Sequence, residues 1–276
     1  MKRLRAALAR LGFKTSRTDE GTSVDAGIAL PLRSGVPTLS EDGLYRESRS
    51  IDASVTTLRA FGAFELTIRR GDAASLTVIG PDATMMREIR TSITGRELTI
   101  RQEGSGFAFG ASSNARNDAT VVVHGPVVIK NMTMNFGDGD DDFTMTSDPA
   151  ILGGRGLRVE LVLPSVPACL VSGAVSVRLQ DVRQDRVAVD LAGGSALDAS
   201  GEAGRAVFNL QGAGRIDALD LDARHVELDI AGAATADLRA SAIFMADIRG
   251  ACTVNVYGQP KQRDVRSAGL GRVNFR

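Results

Sequence analysis

The sequence contains no tryptophan and only two tyrosines, and aromatic residues make up 4% of its 276 positions. Sites that bind carbohydrate or single-stranded nucleic acid usually stack the ligand on aromatic side chains, so this scarcity argues against both kinds of site. The formal net charge is +0, and a neutral chain has no long-range attraction for nucleic acid or an anionic membrane. We therefore predict that nucleic acid is not a partner.

Cysteines and long apolar segments are also scarce. The two cysteines, Cys169 and Cys252, show neither a CxxC motif nor the spacing of a metal site. No segment approaches the roughly 18 apolar residues of a membrane-spanning helix. The basic amino terminus lacks the apolar stretch of a secretory signal peptide. The sequence therefore allows either a cytoplasmic location or export that depends on a signal outside this chain.

Glycine is abundant, with 30 residues, and some of them recur at regular intervals. Six are separated by 20, 19, 20, 18 and 19 residues: Gly173, Gly193, Gly212, Gly232, Gly250 and Gly269. Apolar residues recur on alternate positions on both sides, as Leu228, Ile230, Ala236 and Leu238 do around Gly232. Alternation of this kind indicates β-strands, and a repeat of about 20 residues is typical of a solenoid.

These repeats predict an all-β fold in which each repeat of 18–20 residues forms one coil of a parallel β-helix. Successive coils would stack about 4.8 Å apart and bury their apolar columns against one another. Each recurring glycine would mark a bend between two strands of a coil. A side chain at that position would collide with its copies in the neighbouring coils.

The amino-terminal half follows the same pattern once, around Gly62, and less regularly around Gly80 and Gly95. We therefore predict a β-helical domain over residues 41–276. An insertion at about 103–156, where the pattern is lost, interrupts this domain.

Residues 1–40 are predicted to form a short amphipathic helix followed by a linker. Leu4, Leu8 and Leu11 share one face of this helix, and basic residues surround them. The favoured role is a cap over the open end of the β-helix, and contact with a membrane surface is the alternative.

The chain resembles the bacterial GIN domain, the head domain of auto-transporter adhesins, in three segments: "LRAFGAFELTIRRGD", "LPSVPACLVSGAVSVRL" and "VYGQPKQRDVRSAGLGRV". The resemblance extends over residues 47–276 and is poor in the insertion at 103–156. It implies a right-handed parallel β-helix and a location in the bacterial cell envelope, either the periplasm or the cell surface. It also implies a protein or glycan ligand on a surface, and it brings no catalytic residues.

Two columns of outward-facing positions are rich in aspartate and asparagine. The first column lies three residues before the recurring glycines and the second lies five residues after them: Asp190, Asn209, Asp229 and Asp247, and then Asp198, Asp217, Asp237, Asn255 and Asn274. Carboxylates stacked about 5 Å apart repel one another unless positive charge neutralises them. Ca²⁺ is one source of that charge. We favour a solvated face whose counter-charges come from nearby arginines: Arg215, Arg239, Arg249 and Arg272.

The segment "GDGDDD" offers Asp138, Asp140 and Asp142 as candidate ligands for Ca²⁺, and no other cofactor is predicted. It lacks the glycine and glutamate positions of an EF-hand loop, so a solvated turn is the favoured interpretation. His124 and His225 have no cysteine or second histidine at metal-binding spacing, and structural or exposed roles are expected for both.

The repeat pattern also makes a prediction for the two cysteines. Cys169 and Cys252 fall on inward-facing positions of repeats that lie four coils apart, which corresponds to about 19 Å of stacking. A disulfide requires Cα atoms within about 7 Å of each other. We therefore predict that both thiols are free and buried.

The leading functional hypothesis is a non-enzymatic binding or structural module of the bacterial cell envelope, similar to an adhesin head. A flat β-face or the insertion at 103–156 would carry recognition, as loops on rigid scaffolds often do. The alternative is a cytoplasmic scaffold of the bactofilin kind, a homo-oligomer formed through coil ends or sheet faces. An enzyme acting on polysaccharides ranks third, because the repeats are short and aromatic residues are scarce.

Overall fold

The computed structural model describes residues 14–18, 21–25, 30–103, 110–111, 121–122 and 156–276. These ranges form eighteen strands and one helix. Four strands make two separate antiparallel pairs: β1 (Lys14–Thr18) with β2 (Gly21–Asp25), and β11 (Gly110–Ala111) with β12 (Val121–Val122).

The other fourteen strands form one mixed sheet. In chain order they are the following: β3 (Leu30–Pro31), β4 (Thr38–Leu39), β5 (Tyr45–Arg49), β6 (Thr57–Gly62), β7 (Glu65–Arg70), β8 (Ser75–Gly80), β9 (Ile89–Thr94), β10 (Glu97–Gln102), β13 (Arg158–Leu163), β14 (Ala168–Gly173), β15 (Ser176–Gly193), β16 (Ala196–Tyr257), β17 (Gln262–Gly269) and β18 (Arg272–Phe275). The helix, α1 (Ala83–Met86), follows β8, and the Asp82 carboxylate caps its amino end by accepting from the N–H groups of Thr84 and Met85.

The strands lie in the order β3–β9–β10–β6–β14–β15–β7–β13–β8–β5–β4, and β16 pairs with β15, β17 and β18. One part of β15 pairs with β14 and another part pairs with β7. The sheet therefore curls into two facing walls, and a single cluster of buried apolar side chains fills the space between them.

The strand β16 extends over 62 residues, and a straight strand of that length would measure about 200 Å. It bends instead at glycines with positive φ angles, among them Gly212 at +120°, Gly232 at +139° and Gly250 at +127°. Side chains disfavour this backbone conformation. A Cβ added at Gly232 would also overlap the carbonyl oxygen of Gly212. The predicted steric reason for the recurring glycines is confirmed.

Residues one repeat apart lie opposite each other in parallel register. Val171 pairs with Leu191, which in turn pairs with Leu210, and all three side chains are buried. In the last two repeats, Val254 pairs with Val273 in the same way. The inward-facing columns predicted from the sequence are confirmed by this register.

The prediction of a right-handed parallel β-helix is wrong, because the sheet is mixed. The strands β5, β8 and β9 run antiparallel to the strands with which they pair, so the chain reverses direction instead of winding in one sense throughout. The observed architecture is mostly β-structure in a mixed, curled half-barrel, with one short helix in the described ranges. Among the described strands, β6, β7 and the strands from β14 to β18 pair exclusively in parallel.

The change of direction is clear at Gly95. Thr94 lies opposite Glu97, so Gly95 and Arg96 form a two-residue turn, and Gly95 has the positive φ of +58° that such turns favour. Gly80 lies opposite Tyr45 in the antiparallel pair of β8 and β5. The loose agreement of Gly80 and Gly95 with the repeat therefore comes from antiparallel strands.

Gln102 closes one end of the column of glycines. In later repeats the N–H that follows a glycine donates to the carbonyl of the glycine one repeat earlier, as Gly194 does to Gly173 at 2.9 Å. Beside Gly62 this acceptor is a side chain, because Ala63 N–H donates to Gln102 Oε1 at 2.9 Å. The side-chain amide takes the place of a backbone carbonyl, and the column of glycines ends there in the described part of the chain.

The opposite edge of the sheet consists of β17 and β18. Each pairs with β16 alone among the described strands, and all eight residues of β17 are exposed. Phe275 closes the core at this edge by an edge-to-face contact with buried Phe244, with ring centroids 5.8 Å apart. The Arg263 guanidinium lies 4.1 Å from the centroid of the Phe275 ring.

Part of the predicted organisation falls on residues outside the described ranges. These residues include the predicted helix with Leu4, Leu8 and Leu11, and most of the insertion at 103–156. The division into residues 1–40 and 41–276 stays a prediction. No helix in the described ranges has the length and apolar character needed to span a membrane.

Candidate functional site

A groove lies on the outer surface of the sheet, where the last repeats of β16 meet β17. It has a volume of about 320 Å³ and is open to solvent. We call it the β16–β17 groove, and its lining is: Val207, Asn209, Glu227, Leu228, Asp229, Met245, Ala246, Asp247, Asp264 and Arg266.

The repeat brings these residues together. Most of them lie five or three positions before a recurring glycine, as Glu227 and Asp229 do. Parallel pairing places Met245 of β16 opposite Asp264 of β17. Leu228, which lies between Glu227 and Asp229, is buried in the core, so the side chains of these two acidic residues point outward.

Met245 gives the groove an apolar element. Its residue surface is 38% exposed. Its neighbours in the same column, Glu227 and Asp264, are charged, so Met245 is the apolar member of this column. Methionine adapts to irregular partners and is common on binding surfaces. We did not select Met245 from the sequence, but a large apolar residue at an outward-facing position of "IFMADI" was the available signal.

Arg249 joins two aspartates of the first polar column. Its Nη2 donates to both carboxylate oxygens of Asp229, at 2.7 and 3.0 Å, and its Nε lies 3.6 Å from an oxygen of Asp247. The hydrogen bond and the charge of Asp229 raise the pKa of the Arg249 guanidinium above its ordinary value. Arg249 thus supplies the counter-charge predicted for this column.

Other polar contacts flank the groove, and two of its charged residues form no ion pair with another described residue. The Arg205 guanidinium donates to Glu227, and the Asn209 amide donates to Asp190. Asp264 and Arg266 form no ion pair with any other residue that the structure describes. The groove therefore combines neutralised charges along β16 with unpaired charges of both signs on β17.

The second polar column forms a ladder along the other wall. Asn255 Nδ2 donates to Asp237 at 2.8 Å, and Asn274 Nδ2 donates to Asn255 Oδ1 at 3.0 Å. Arg215 donates to Asp217 at 2.8 Å and lies 3.6 Å from Asp237. Amides and arginine together separate the carboxylates of this column, as a solvated face requires.

Two of the four arginines predicted as counter-charges have that role. They are Arg215 and Arg249, whereas Arg239 and Arg272 pair with no carboxylate in the described part of the chain. Arg178, which we did not predict, lies 3.8 Å from Asp198.

The candidate metal ligands lie largely beyond what the structure describes. Asp138, Asp140 and Asp142 fall outside the described ranges, and so does His124. His225 lies in β16 and is half-buried. Within the described ranges no group of three or more histidine, cysteine or acidic residues could hold a metal ion. A calcium site at the three aspartates stays a prediction.

A buried polar cluster lies at the other end of the sheet. Arg49 Nε donates to Glu47 at 2.7 Å, and Arg49 Nη1 donates to the Ile89 carbonyl at 2.7 Å and to the Thr91 hydroxyl at 3.1 Å. Glu47 and Arg49 are 4% and 6% exposed. The cluster ties β5 to β9 and is closed to solvent, which suits a structural role. The cluster could not be predicted from the sequence because its inward-facing positions carry polar residues where the alternating pattern expects apolar ones.

The predictions for the cysteines are confirmed, since both are free and buried. Burial raises the pKa of the Cys169 thiol to about 12, with a smaller contribution from the charge of Asp190. Burial also raises the pKa of Cys252. Both thiols are protonated at neutral pH, which makes them poor nucleophiles and poor metal ligands.

The amino-acid sequence matches one protein family over residues 55–260, and the family is described as "Putative auto-transporter adhesin, head GIN domain". The match covers more than half of the chain and includes the β16 part of the groove. No curated protein matches the sequence significantly.

The solved structures that are similar to this chain include the following three. A "putative adhesin" from Bacteroides fragilis NCTC 9343 has a TM-score of 0.53 at 14% identity, over 86% of this chain and 99% of that one. A "putative adhesin" from Parabacteroides merdae ATCC 43184 has a TM-score of 0.42 at 12% identity, over 86% and 98%. A "putative lipid binding protein" from Parabacteroides distasonis ATCC 8503 has a TM-score of 0.42 at 17% identity, over 84% and 96%.

At these identities the structural likeness concerns the fold alone, and with the B. fragilis protein it includes nearly the whole of that chain. The family match is independent of this likeness and rests on the residues themselves. The resemblance noted in the sequence is thereby confirmed, and the chain belongs to the GIN domain family.

Proposed function

We propose that this protein is a non-enzymatic binding module of the bacterial cell envelope and that the β16–β17 groove is its recognition surface. The family description, which names an adhesin head, supports a binding role at the cell surface or in the periplasm. The observation that carries the choice of surface is the combination of exposed Met245 with several carboxylates in one open groove.

The groove suits a polar ligand that donates hydrogen bonds and has an apolar part. The carboxylates of Glu227, Asp229 and Asp247 can accept from amino, hydroxyl or amide groups, and Asn209 can both donate and accept. Met245 provides an apolar contact between them. A protein segment has this chemistry, whereas the lining of the groove contains no aromatic side chain on which a sugar ring would stack, so we propose a surface-exposed protein segment as the ligand.

The charges of the groove indicate how binding should depend on salt. Arg249 and Arg205 already pair with three of the carboxylates, so the field that reaches an approaching ligand is weak. Binding should rest on hydrogen bonds and apolar contact, and it should change little between low and physiological ionic strength.

The proposal is tested by Met245→Glu in the full chain. Binding of the purified protein to whole bacterial cells and to arrays of matrix proteins and glycans is compared with the wild type. We expect binding to fall at least about tenfold, because a carboxylate would replace the apolar contact among groups that are already acidic. Thr253→Glu is the matched control, since Thr253 is exposed on the other wall and lies opposite Arg272.

Deletion of residues 106–145 tests the other candidate contact, the insertion. If this deletion abolishes binding and Met245→Glu does not, the groove is excluded and the insertion carries recognition. If neither change affects binding, both surfaces are excluded.

The location is tested separately by fractionating cells that produce the native protein. Mass spectrometry of the amino terminus is performed on the fraction that contains it. Recovery from the periplasm or the cell surface supports the envelope proposal. Recovery from the cytosol contradicts it and favours the cytoplasmic scaffold.

A further inference from the structure

The outer edge of β17 has no strand beside it in the described part of the chain. Its partner β16 lies on one side, and all eight residues from Gln262 to Gly269 are exposed. An edge strand presents unpaired backbone N–H and C=O groups and can pair with another strand. Val265 adds an apolar residue to this edge and is 37% exposed.

The charges on this edge are complementary to themselves. Asp264 and Arg266 flank Val265 and form no ion pair with another described residue. If two copies of β17 pair in antiparallel fashion about Val265, Asp264 of each copy lies opposite Arg266 of the other. Opposite charges on facing positions of an antiparallel pair stabilise it.

We propose that two copies of this protein associate through β17 as a two-fold symmetric dimer. The two Val265 residues lie opposite each other at the dyad, with one Asp264–Arg266 ion pair on each side. Such a contact uses the same surface of both copies and therefore closes at two.

The other end of the stacked repeats does not offer a matching edge. Gln102 places a side chain where a further repeat would need a glycine, and it already accepts from Ala63 N–H. On this wall β10 is followed by antiparallel β9 and β3. End-to-end growth in one direction is thereby blocked, and the assembly stops at the dimer.

The dimer should be weak, because one pair of eight-residue edges buries less than the area of about 1,000 Å² that stable interfaces exceed. Association would also place two β16–β17 grooves side by side, since Asp264 and Arg266 line the groove. A polymeric ligand with repeated epitopes would then contact two grooves at once. The association itself does not depend on what the groove binds.

Sedimentation of the full chain over a concentration series tests the proposal. The wild type should change from a mass of 29.1 kDa towards twice that value as concentration rises. Arg266→Asp places two carboxylates opposite each other at each contact, and Asp264→Arg places two guanidinium groups there. Each variant should dimerise at least about tenfold more weakly than the wild type.

Two controls separate loss of the contact from loss of the fold. A mixture of the Arg266→Asp and Asp264→Arg proteins should form a heterodimer, because opposite charges then face each other again. The double variant Asp264→Arg/Arg266→Asp should regain self-association for the same reason. A monomer at all concentrations, growth beyond two copies, or a dimer that is insensitive to these exchanges would overturn the proposal.

Discussion

Single glycines set the spacing of the repeats, and Gly232 allows the steric part of this role to be measured. Gly232→Ala would place a methyl group against the carbonyl of Gly212 at a φ of +139°. The backbone strain and the overlap together should lower the free energy of unfolding by about 2–6 kcal/mol. Urea unfolding measures the loss.

Gly43→Ala is the matched control for this substitution. Gly43 also has a positive φ, of +78°, but nothing lies within 4 Å of an added Cβ. The Gly43→Ala substitution should lower the free energy of unfolding only by the backbone strain, which is about 1–3 kcal/mol. Equal losses for the two variants would contradict the steric role of the recurring glycines.

The buried thiol of Cys169 should make stability depend on alkaline pH. Its pKa is raised by burial from 9.0 to about 12. The stability that comes from keeping this thiol protonated is complete below pH 9 and is lost as the pH rises towards 12. Cys169→Ala lacks this dependence. Between pH 8 and pH 10 the wild type should lose about 1 kcal/mol more than the variant. Parallel curves for the two proteins would contradict the raised pKa.

At the scale of the strands, the ladder of Asp237, Asn255 and Asn274 joins neighbouring repeats through hydrogen bonds between their side chains. Asn255→Asp replaces the amide that donates to Asp237 at 2.8 Å by a second carboxylate. It should cost about 1–2 kcal/mol at pH 7. Protonation of either carboxylate removes the repulsion, so stability should recover as the pH falls towards about 4.

Urea unfolding at pH 7 and at pH 3.5 measures this effect relative to the wild type. Thr253→Asp is the control, because Thr253 lies opposite Arg272 rather than a carboxylate. This substitution should change the free energy of unfolding by less than about 0.5 kcal/mol. Recovery of the Asn255→Asp protein on addition of Ca²⁺ would show that this column can bind a cation. A loss that is the same at both pH values would contradict the electrostatic explanation.

The strands that could be predicted from the sequence are those whose apolar pattern recurs in several repeats. The columns that contain Val171, Leu191 and Leu210 were predictable because each position confirms the others. The antiparallel strands could not be predicted, because the pattern of each strand occurs only once in the sequence. Their glycines fit the 20-residue repeat only loosely, so they were interpreted as irregular copies of it. The positive φ of Gly95 belongs to a local turn, and the sequence "TGRE" alone does not distinguish that turn from a bend.

The groove was predictable in part. Asn209, Asp229 and Asp247 belong to a column that the sequence identified, but their combination with Met245 depends on how neighbouring repeats stack. The leftover charges on β17 could not be recognised at all, because identifying an unpaired charge requires the positions of its neighbours.

At the scale of the whole molecule, we expect that one stacked repeat can be removed while the remaining repeats still fold. Deletion of residues 213–232 removes one complete repeat and joins Gly212 to Ala233, so Gly250 can take the place of Gly232. We expect a folded β-protein with a cooperative transition and a smaller denaturant dependence, because less surface is buried.

Deletion of residues 213–222 is the control for this variant, since it removes half a repeat and shifts the glycines out of register. It should not fold cooperatively. Circular dichroism and urea unfolding compare the two deletions, and equal behaviour would contradict the independence of the repeats.

The closure of one end by Gln102 has a further consequence for length. It gives the stack of repeats a fixed origin, and every repeat between it and β17 moves the exposed edge outward by about 4.8 Å. Gain or loss of repeats would therefore change the reach of the molecule in equal increments. The strands at the sealed end and the residues at the exposed edge would keep their structures. Proteins built in this way could adjust the height at which the groove stands without altering the groove itself.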